Sequence, residues 1–509
     1  MVPALTAEEA NGADVAALAK GGRTNFFGFV LRLAARLPFL YIAGRWYGAA
    51  ALGRFAYAIL IVEFAAQLAT LGLKRGLAEQ LSSTDRHHTH VVWDGLLVSL
   101  IVSSIAAVIL IAFPEAMFPN SDINGLDRLL PLVIFAVAGT DIALAALAYR
   151  YDVAATVRAR SIVEPWTISF AAIGFAFYST RDGLIMAYVV SMVAAMIAAM
   201  IPLIRSYGLP HGWRPRTDQL RKLARRNAPL AAADAIEWGS RRIDLAILGL
   251  FASPAIVGIY YVAQQVASLP QKLKTSFEPI LGPVITRNLE AGNMKAIAVQ
   301  ISQVSFWVIA AQAGIALALG IPGEAVMGLV GATFVGGTGA LAFLLAAEVV
   351  ASTAAVAEGA LVYVARHRNL MISVAMICLQ AVLSVGFVLV VRTLHLPPTY
   401  EAGAVACALM VSLGLSSILK ARLLAKILEA PVSGWRWALA WATAGAMLLG
   451  YGAIQLPEWA ELAFGVPIIL AIYGYIVWTK GFGAEDRALF RSKGAADEGM
   501  TFERLEKSE

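Results

Sequence analysis

Charged side chains stand inside apolar stretches of this sequence, where lipid would make them costly. The first such stretch carries Asn25, Arg32 and Arg36. Spacings of seven and four put all three on one face of a helix. The second carries Glu63 and Gln67, again four apart. A later one carries Asp234, Glu237, Arg241 and Asp244 at steps of three, four and three, with Arg242 beside them. Asp141, Glu164 just before Pro165, Glu348 and Glu358 complete the set. A charge at the bilayer centre costs about 2.5–3.5 kcal/mol on insertion scales, so such groups face a bundle interior or a watery cavity. Arginine is suited there to phosphate, because its planar fork binds two oxygens at once. Carboxylates in the same place suit coupling to a proton or sodium gradient, or simple pairing with the arginines.

Each group also has a purely structural reading. Arg241 has Glu237 four residues before it and Asp244 three after it. Arg32 and Arg36 have Glu63 on the next helix as a partner. Glu348 and Glu358 would serve equally as polar contacts between helices. Nothing reads as catalysis. The chain has no Gly-x-Ser-x-Gly, no His-x-x-x-His and no Cys-x-x-Cys. His87, His88 and His90 read as a solvated loop rather than a metal site. The glycine-rich run from Val330 to Gly337 lacks the Lys-Ser/Thr of a phosphate loop and reads as a flexible outer connection. Cys378 and Cys407 lie within apolar segments and read as small buried hydrophobes. No enzyme, metal or cofactor is expected.

These residues need elements to carry them. Of 509 residues, 59% are hydrophobic and 15% charged, against nearer half and a quarter in a soluble domain. Mean hydropathy is +0.71. About fourteen apolar windows of spanning length, roughly 20 residues each, can be laid along the chain. No alternating strand pattern appears, so the spans are expected to be helices. The net charge of +6 raises the question of nucleic acid, but topology accounts for it. With the N-terminus placed inside, 31 of the 40 Lys and Arg residues fall in inner segments. An error in the helix count would invert every later loop and scramble that bias. The reading is fourteen helices with both ends cytoplasmic. The first twenty residues lack a basic and an apolar region and read as a short mobile tail, not a signal peptide.

A weak internal repeat runs through this plan. Leu52-Gly53-Arg54-Phe55-Ala56-Tyr57-Ala58 echoes Val257-Gly258-Ile259-Tyr260-Tyr261-Val262-Ala263 at an offset of 205. An offset of six helices starts both halves on the same face, so the pseudo-twofold axis should run along the membrane normal. The same offset carries Arg36 onto Arg241, and two such arginines would make a basic patch in a central cavity. The expected architecture is all-α and polytopic. It has a cytoplasmic tail (1–24), a first six-helix lobe (25–205) and a basic linker (206–227). A second lobe (228–426), two further helices (427–480) and a cytoplasmic tail (481–509) follow.

At this point the chain resembles the multidrug/oligosaccharidyl-lipid/polysaccharide (MOP) exporter superfamily, and within it the Wzx-type polysaccharide flippases. The residues that carry the resemblance are Lys20-Gly21-Gly22 before the arginine-bearing first helix and the turn from Tyr47-Gly48 to Leu52-Gly53-Arg54-Phe55. Leu71-Gly72-Leu73 before a basic loop and the tail from Phe482-Gly483 to Ala488-Leu489 belong to it too. The resemblance implies two lobes around a cavity of alternating access. It implies movement of a polyprenyl-diphosphate-linked oligosaccharide from inner to outer leaflet of the bacterial cytoplasmic membrane. Asn25, Arg32, Arg36, Arg241 and Arg242 become the diphosphate site. Glu63, Asp141, Asp234, Glu237, Asp244, Glu348 and Glu358 become candidates for ion coupling or cavity pairing. The expected partners are that substrate and membrane lipids, with no nucleic acid; the chain is expected to act as a monomer, alone or beside export machinery. Two other readings stay open. One is a multidrug or cation antiporter of the same fold, and the other is a membrane glycan polymerase.

Overall fold

The computed structural model describes residues 37–83, 86–275, 285, 289 and 293–483. Asn25, Arg32 and Arg36 lie outside the described residues. Every regular element among the described residues is helical. The first half runs through α1 (Gly48–Ala69), α2 (Leu73–Ser82), α3 (His88–Ala112), α4 (Val133–Tyr149), α5 (Glu164–Ala176) and α6 (Gly183–Tyr207). It continues with α7 (Thr217–Ser240), α8 (Ile243–Phe251) and α9 (Pro254–Thr275). The second half runs through α10 (Met294–Gly320), α11 (Gly323–Val330), α12 (Thr338–Val364), α13 (Arg366–Thr393), α14 (Thr399–Leu428), α15 (Trp437–Ala453) and α16 (Val466–Ile476).

Among the described residues, nine stretches are long and apolar enough to cross a bilayer. The chain is therefore a polytopic α-helical membrane protein, and the number fourteen stays a reading of the sequence. The difference has visible causes. The α15 helix has 17 residues, α7 carries charges along much of its length, and α9 holds Gln264, Gln265 and Pro270.

Two compact units emerge. The described residues up to Val262, with Met327–Gly337 and Ala381–Val405, form the first; Ala263–Val326, Thr338–Gln380 and the described residues from Ala406 form the second. In the first unit, Leu73, Leu77, Val92, Ile142, Leu147 and Leu203 share one core. The second has two cores, one around Ile297, Ile301, Leu361 and Leu424 and one around Phe306, Leu439, Ile469 and Tyr473. Small residues let helices of the first unit approach closely, as lipid-embedded packing requires. A Cβ on Gly53 would strike the Pro254 carbonyl, and one on Gly258 would strike the Ala49 carbonyl.

Two expectations are corrected here. The apolar stretch that carries Asp234, Glu237, Arg241 and Asp244 is not one helix. Its helix begins at Thr217, inside the basic stretch, stops at Ser240 and restarts at Ile243. Arg241 and Arg242 stand in the break, with Arg242 at φ −135° and ψ 6°. The run from Val330 to Gly337 is not a loose loop. Ala332–Gly337 forms a 3-10 turn with Phe334 fully buried, and Phe334 and Val330 close over Gly44.

Candidate functional site

The site in the first unit begins with a tight turn. Leu71 (φ 48°) and Gly72 (φ 68°) are left-handed between α1 and α2. Glycine at 72 is required twice, for that φ and because a Cβ would sit 2.7 Å from the Ala231 nitrogen and the Leu230 Cβ. One turn on, Gly76 packs on the Asn227 side-chain oxygen. The α2 helix is thereby pressed onto α7. Arg75 consequently lies 3.1 Å from Asp234 and 2.7 Å from Glu237. Glu237 also receives Arg241, at 3.2 Å.

The break after Ser240 sends its two arginines different ways. Arg242 leaves α7 and reaches Glu63 at 3.5 Å. Its guanidinium also lies over the Trp238 ring, 4.9 Å from the centroid, a stacking that favours arginine. Trp238 in turn packs on Phe64. Asp244 does not join the stripe of Asp234, Glu237 and Arg241. It opens α8 and accepts the Tyr260 hydroxyl at 2.6 Å, fully inside the protein. The expected pairing of Arg241 with Glu237 holds, and that with Asp244 does not.

A second ion-pair group stands on α4 and α5. Pro165 has no N–H to give the carbonyl four residues earlier, and the backbone widens into π turns over Val157–Val163. From there Arg160 holds Asp141 and, at 2.7 Å, Glu164. Lys74, the neighbour of Arg75, also reaches Asp141, at 3.6 Å. Buried Tyr188 stands among Arg160, Glu164, Glu63 and Arg242, and its hydroxyl has no partner among the described residues.

Lys74, Arg75, Arg160, Arg241 and Arg242 thus face Glu63, Asp141, Glu164, Asp234 and Glu237, cation for anion. The two sets differ in access. Asp234 is 3% exposed, whereas the Arg75 and Arg241 side chains are each 57% exposed. An incoming anion can therefore reach these guanidiniums without unfolding anything, and it would compete with carboxylates already on them.

The second unit holds the remaining predicted acids apart. Glu358 pairs with Lys420 at 3.0 Å and takes a longer contact from Asn369. Lys420 is buried on α14. Glu348 lies ten residues before Glu358, about 15 Å along α12, so the two acids do not share a site. One turn beyond Glu348, Ser352 bonds the Gln312 carboxamide, which itself donates to the Pro270 carbonyl at 2.9 Å. Lys74, Arg75, Arg160 and Lys420 count as orientation charges in the sequence. Of these only Arg160 carries a local signal, its spacing of four from Glu164.

Residues 44–323, more than half of the chain, match a family described as "Polysaccharide biosynthesis protein". The chain belongs to that family. This polysaccharide biosynthesis protein shares its fold with the lipid II flippase MurJ in an inward closed conformation (TM-score 0.68, 11% identity, covering 93% of this chain and 100% of that one). It shares it too with an inward-facing multidrug resistance MATE family transporter of the MOP superfamily (0.63, 13%, covering 78% and 94%). A third such structure is a MOP superfamily transporter from Pyrococcus furiosus described by the reverse polarity of its binding pocket (0.55, 13%, covering 81% and 95%). No curated protein matches the chain. The family match bears out polysaccharide biosynthesis, and the structures bear out the fold expected from the resemblance to MOP exporters.

Proposed function

We propose that this family member is a flippase that moves a polyprenyl-diphosphate-linked oligosaccharide between leaflets by alternating access, without covalent chemistry. One observation carries the reading. Arg75 and Arg241 share Glu237, and Arg242 reaches Glu63, each with an accessible guanidinium held by a carboxylate. A carboxylate on a guanidinium occupies the place a phosphate oxygen would take. A diphosphate offers more charge and more oxygens, so it displaces Glu237 and Glu63 and releases them. Arg32, Arg36 and Asn25 are proposed to complete the diphosphate site from the first helix; with these two arginines added, the balanced cluster becomes cationic. The acids set free by substrate are proposed to take up protons or sodium and so tie transport to a gradient, with Asp141, Asp234, Glu348 and Glu358 as further candidates. The basic bias of the alternate loops supports both ends facing the cytoplasm of a bacterial inner membrane, and the chain is proposed to work as a monomer.

The test is leaflet exchange of a lipid-linked oligosaccharide in proteoliposomes, with imposed proton or sodium gradients. Arg32→Ala and Arg36→Ala are expected to abolish exchange with the protein still folded. Full exchange in the double variant would remove the arginines from the substrate site. A second reading, cation antiport, draws support from the equal balance of five cations and five acids in this ion-pair cluster and from the half-exposed Glu237. Gradient-driven movement of cationic dyes, with no exchange of the lipid-linked glycan, would select it.

A further inference from the structure

The basic stretch from Arg205 to Arg226 carries seven cations and one acid, Asp218, more than topology requires. Its position is fixed by the helix ends around it. The Thr89 hydroxyl donates to the Tyr207 carbonyl at 2.6 Å, and the Tyr207 hydroxyl donates to the Ala146 carbonyl at 2.7 Å. The start of α3 and the ends of α4 and α6 therefore meet at one level, and the guanidinium of Arg150 lies over the Tyr207 ring at 3.9 Å. A shared level at the ends of three spans marks the membrane boundary, where tyrosine and tryptophan collect. Trp213 is anchored there through Asp94, at 2.9 Å.

Beyond that boundary the chain turns through Gly208 (φ 75°) and Gly212 (φ 68°) and enters α7 as a two-faced helix. Leu220, Leu223 and Ala224 pack into the core of the first unit. Arg221, Lys222 and Arg225 point outward and are exposed, and none has an ion pair among the described residues, whereas Arg226 is paired with Glu79. Arg205, Arg214 and Arg216 are exposed as well. On α6, Ile197, Ile201 and Ile204 make an exposed apolar stripe, spaced four and three, that leads to Arg205 and Leu209.

We propose that this ledge is a binding site for an anionic phospholipid of the surrounding bilayer. The acyl chains lie along the stripe of Ile197, Ile201 and Ile204. The headgroup phosphate is held by Arg205 and the outward cations of α7. A free soluble phosphate would find the cations but not the stripe. Headgroup binding also holds one end of α7, whose other end carries Asp234 and Glu237 without a break in the helix. The lipid site and the ion-pair site are thus on one helix, with Pro229 between them.

The site is testable without any transported substrate, so its failure and the failure of the transport reading are separate. The full chain is placed in nanodiscs, and spin-labelled phosphatidylglycerol and spin-labelled phosphatidylcholine are compared for motional restriction at the protein surface. The wild-type protein is expected to prefer phosphatidylglycerol. The triple variant Arg221→Gln, Lys222→Gln, Arg225→Gln is expected to weaken that preference by ~10-fold, since one cation near an anionic surface is worth roughly a five-fold factor before screening. The same three positions changed to the other basic residue should keep it. A control triple, Arg366→Gln, Arg368→Gln, Arg422→Gln, removes three exposed charges from the second unit and should leave it intact. Equal loss in both triple variants, or full displacement of the labelled lipid by soluble glycerol phosphate, would overturn the proposal.

Discussion

Gly53 and Gly258, 205 residues apart, sit against each other where α1 crosses α9. The contact is reciprocal. Gly53 packs on the backbone of Pro254 and Gly258, and Gly258 packs on the backbone of Ala49 and Gly53. Ala49 and Pro254 are themselves 205 apart. A contact that maps onto itself under the repeat offset lies on a local twofold axis. The two segments of the weak sequence echo thus pack on each other.

This crossing predicts matched effects. Gly53→Ala and Gly258→Ala each drive a methyl into a backbone carbonyl, and each should destabilise the protein by about 1–3 kcal/mol, the range for overpacking. Because the contact is reciprocal, the two losses should be similar. Thermal unfolding of the purified protein in detergent measures both. An unchanged midpoint for either variant would mean that the helices do not approach this closely.

The ion-pair site predicts an asymmetry. Arg75 is accessible, while its partner Asp234 is buried. Arg75→Gln strips a buried carboxylate of its cation and should cost roughly 1–3 kcal/mol. Adding Asp234→Asn should recover most of that stability without recovering transport, because the guanidinium stays absent. Stability and leaflet exchange measured on the same two variants separate the roles. Recovered transport in the double variant would show that Arg75 serves only to neutralise Asp234.

How much of this was legible follows from what kind of signal each residue leaves. Spacing on one helix is visible in a sequence, so the face shared by Asp234, Glu237 and Arg241 could be read, as could the repeat. The break at Arg241–Arg242 had only Gly239-Ser240 to mark it, a pair that kinks some helices and is tolerated within others; α8 is held elsewhere, by Asp244 on Tyr260. Arg75 was hidden for another reason. A cation just past a span looks like a topology charge until the turn at Gly72 folds it back onto α7. Lys420 was hidden because a single lysine near the end of an apolar window snorkels as readily as it pairs.

Arg54, near the start of α1, supplies a further case. Arg54 is 7% exposed, sits over the Phe118 ring at 4.7 Å, and bridges Asp127 to Asp182, the latter at 3.3 Å. Arg54→Leu should lose roughly 3 kcal/mol, the low end for breaking a buried pair, because Arg181 still reaches both acids. Arg54→Lys should rescue only part of this, since an ammonium lacks the fork that spans two carboxylates. Thermal unfolding again reads the result, and full rescue by lysine would reduce the network to simple charge neutralisation.

The repeat makes one more demand. Phe39 and Phe55 pack as an aromatic pair with ring centroids 5.6 Å apart. Adding 205 to each gives Asp244 and Tyr260, which are joined by a hydrogen bond of 2.6 Å. One structural position thus holds an apolar contact in one repeat and a polar one in the other. Tyr260→Phe removes the hydroxyl from a buried carboxylate and should destabilise by about 1–3 kcal/mol. Changing Asp244→Phe in the same chain rebuilds the pair used by the first repeat and should return much of the lost stability. If the double variant is no more stable than Tyr260→Phe alone, the two pairs are not structural equivalents. If it is as stable as wild type yet transports normally, Asp244 is no part of the ion coupling.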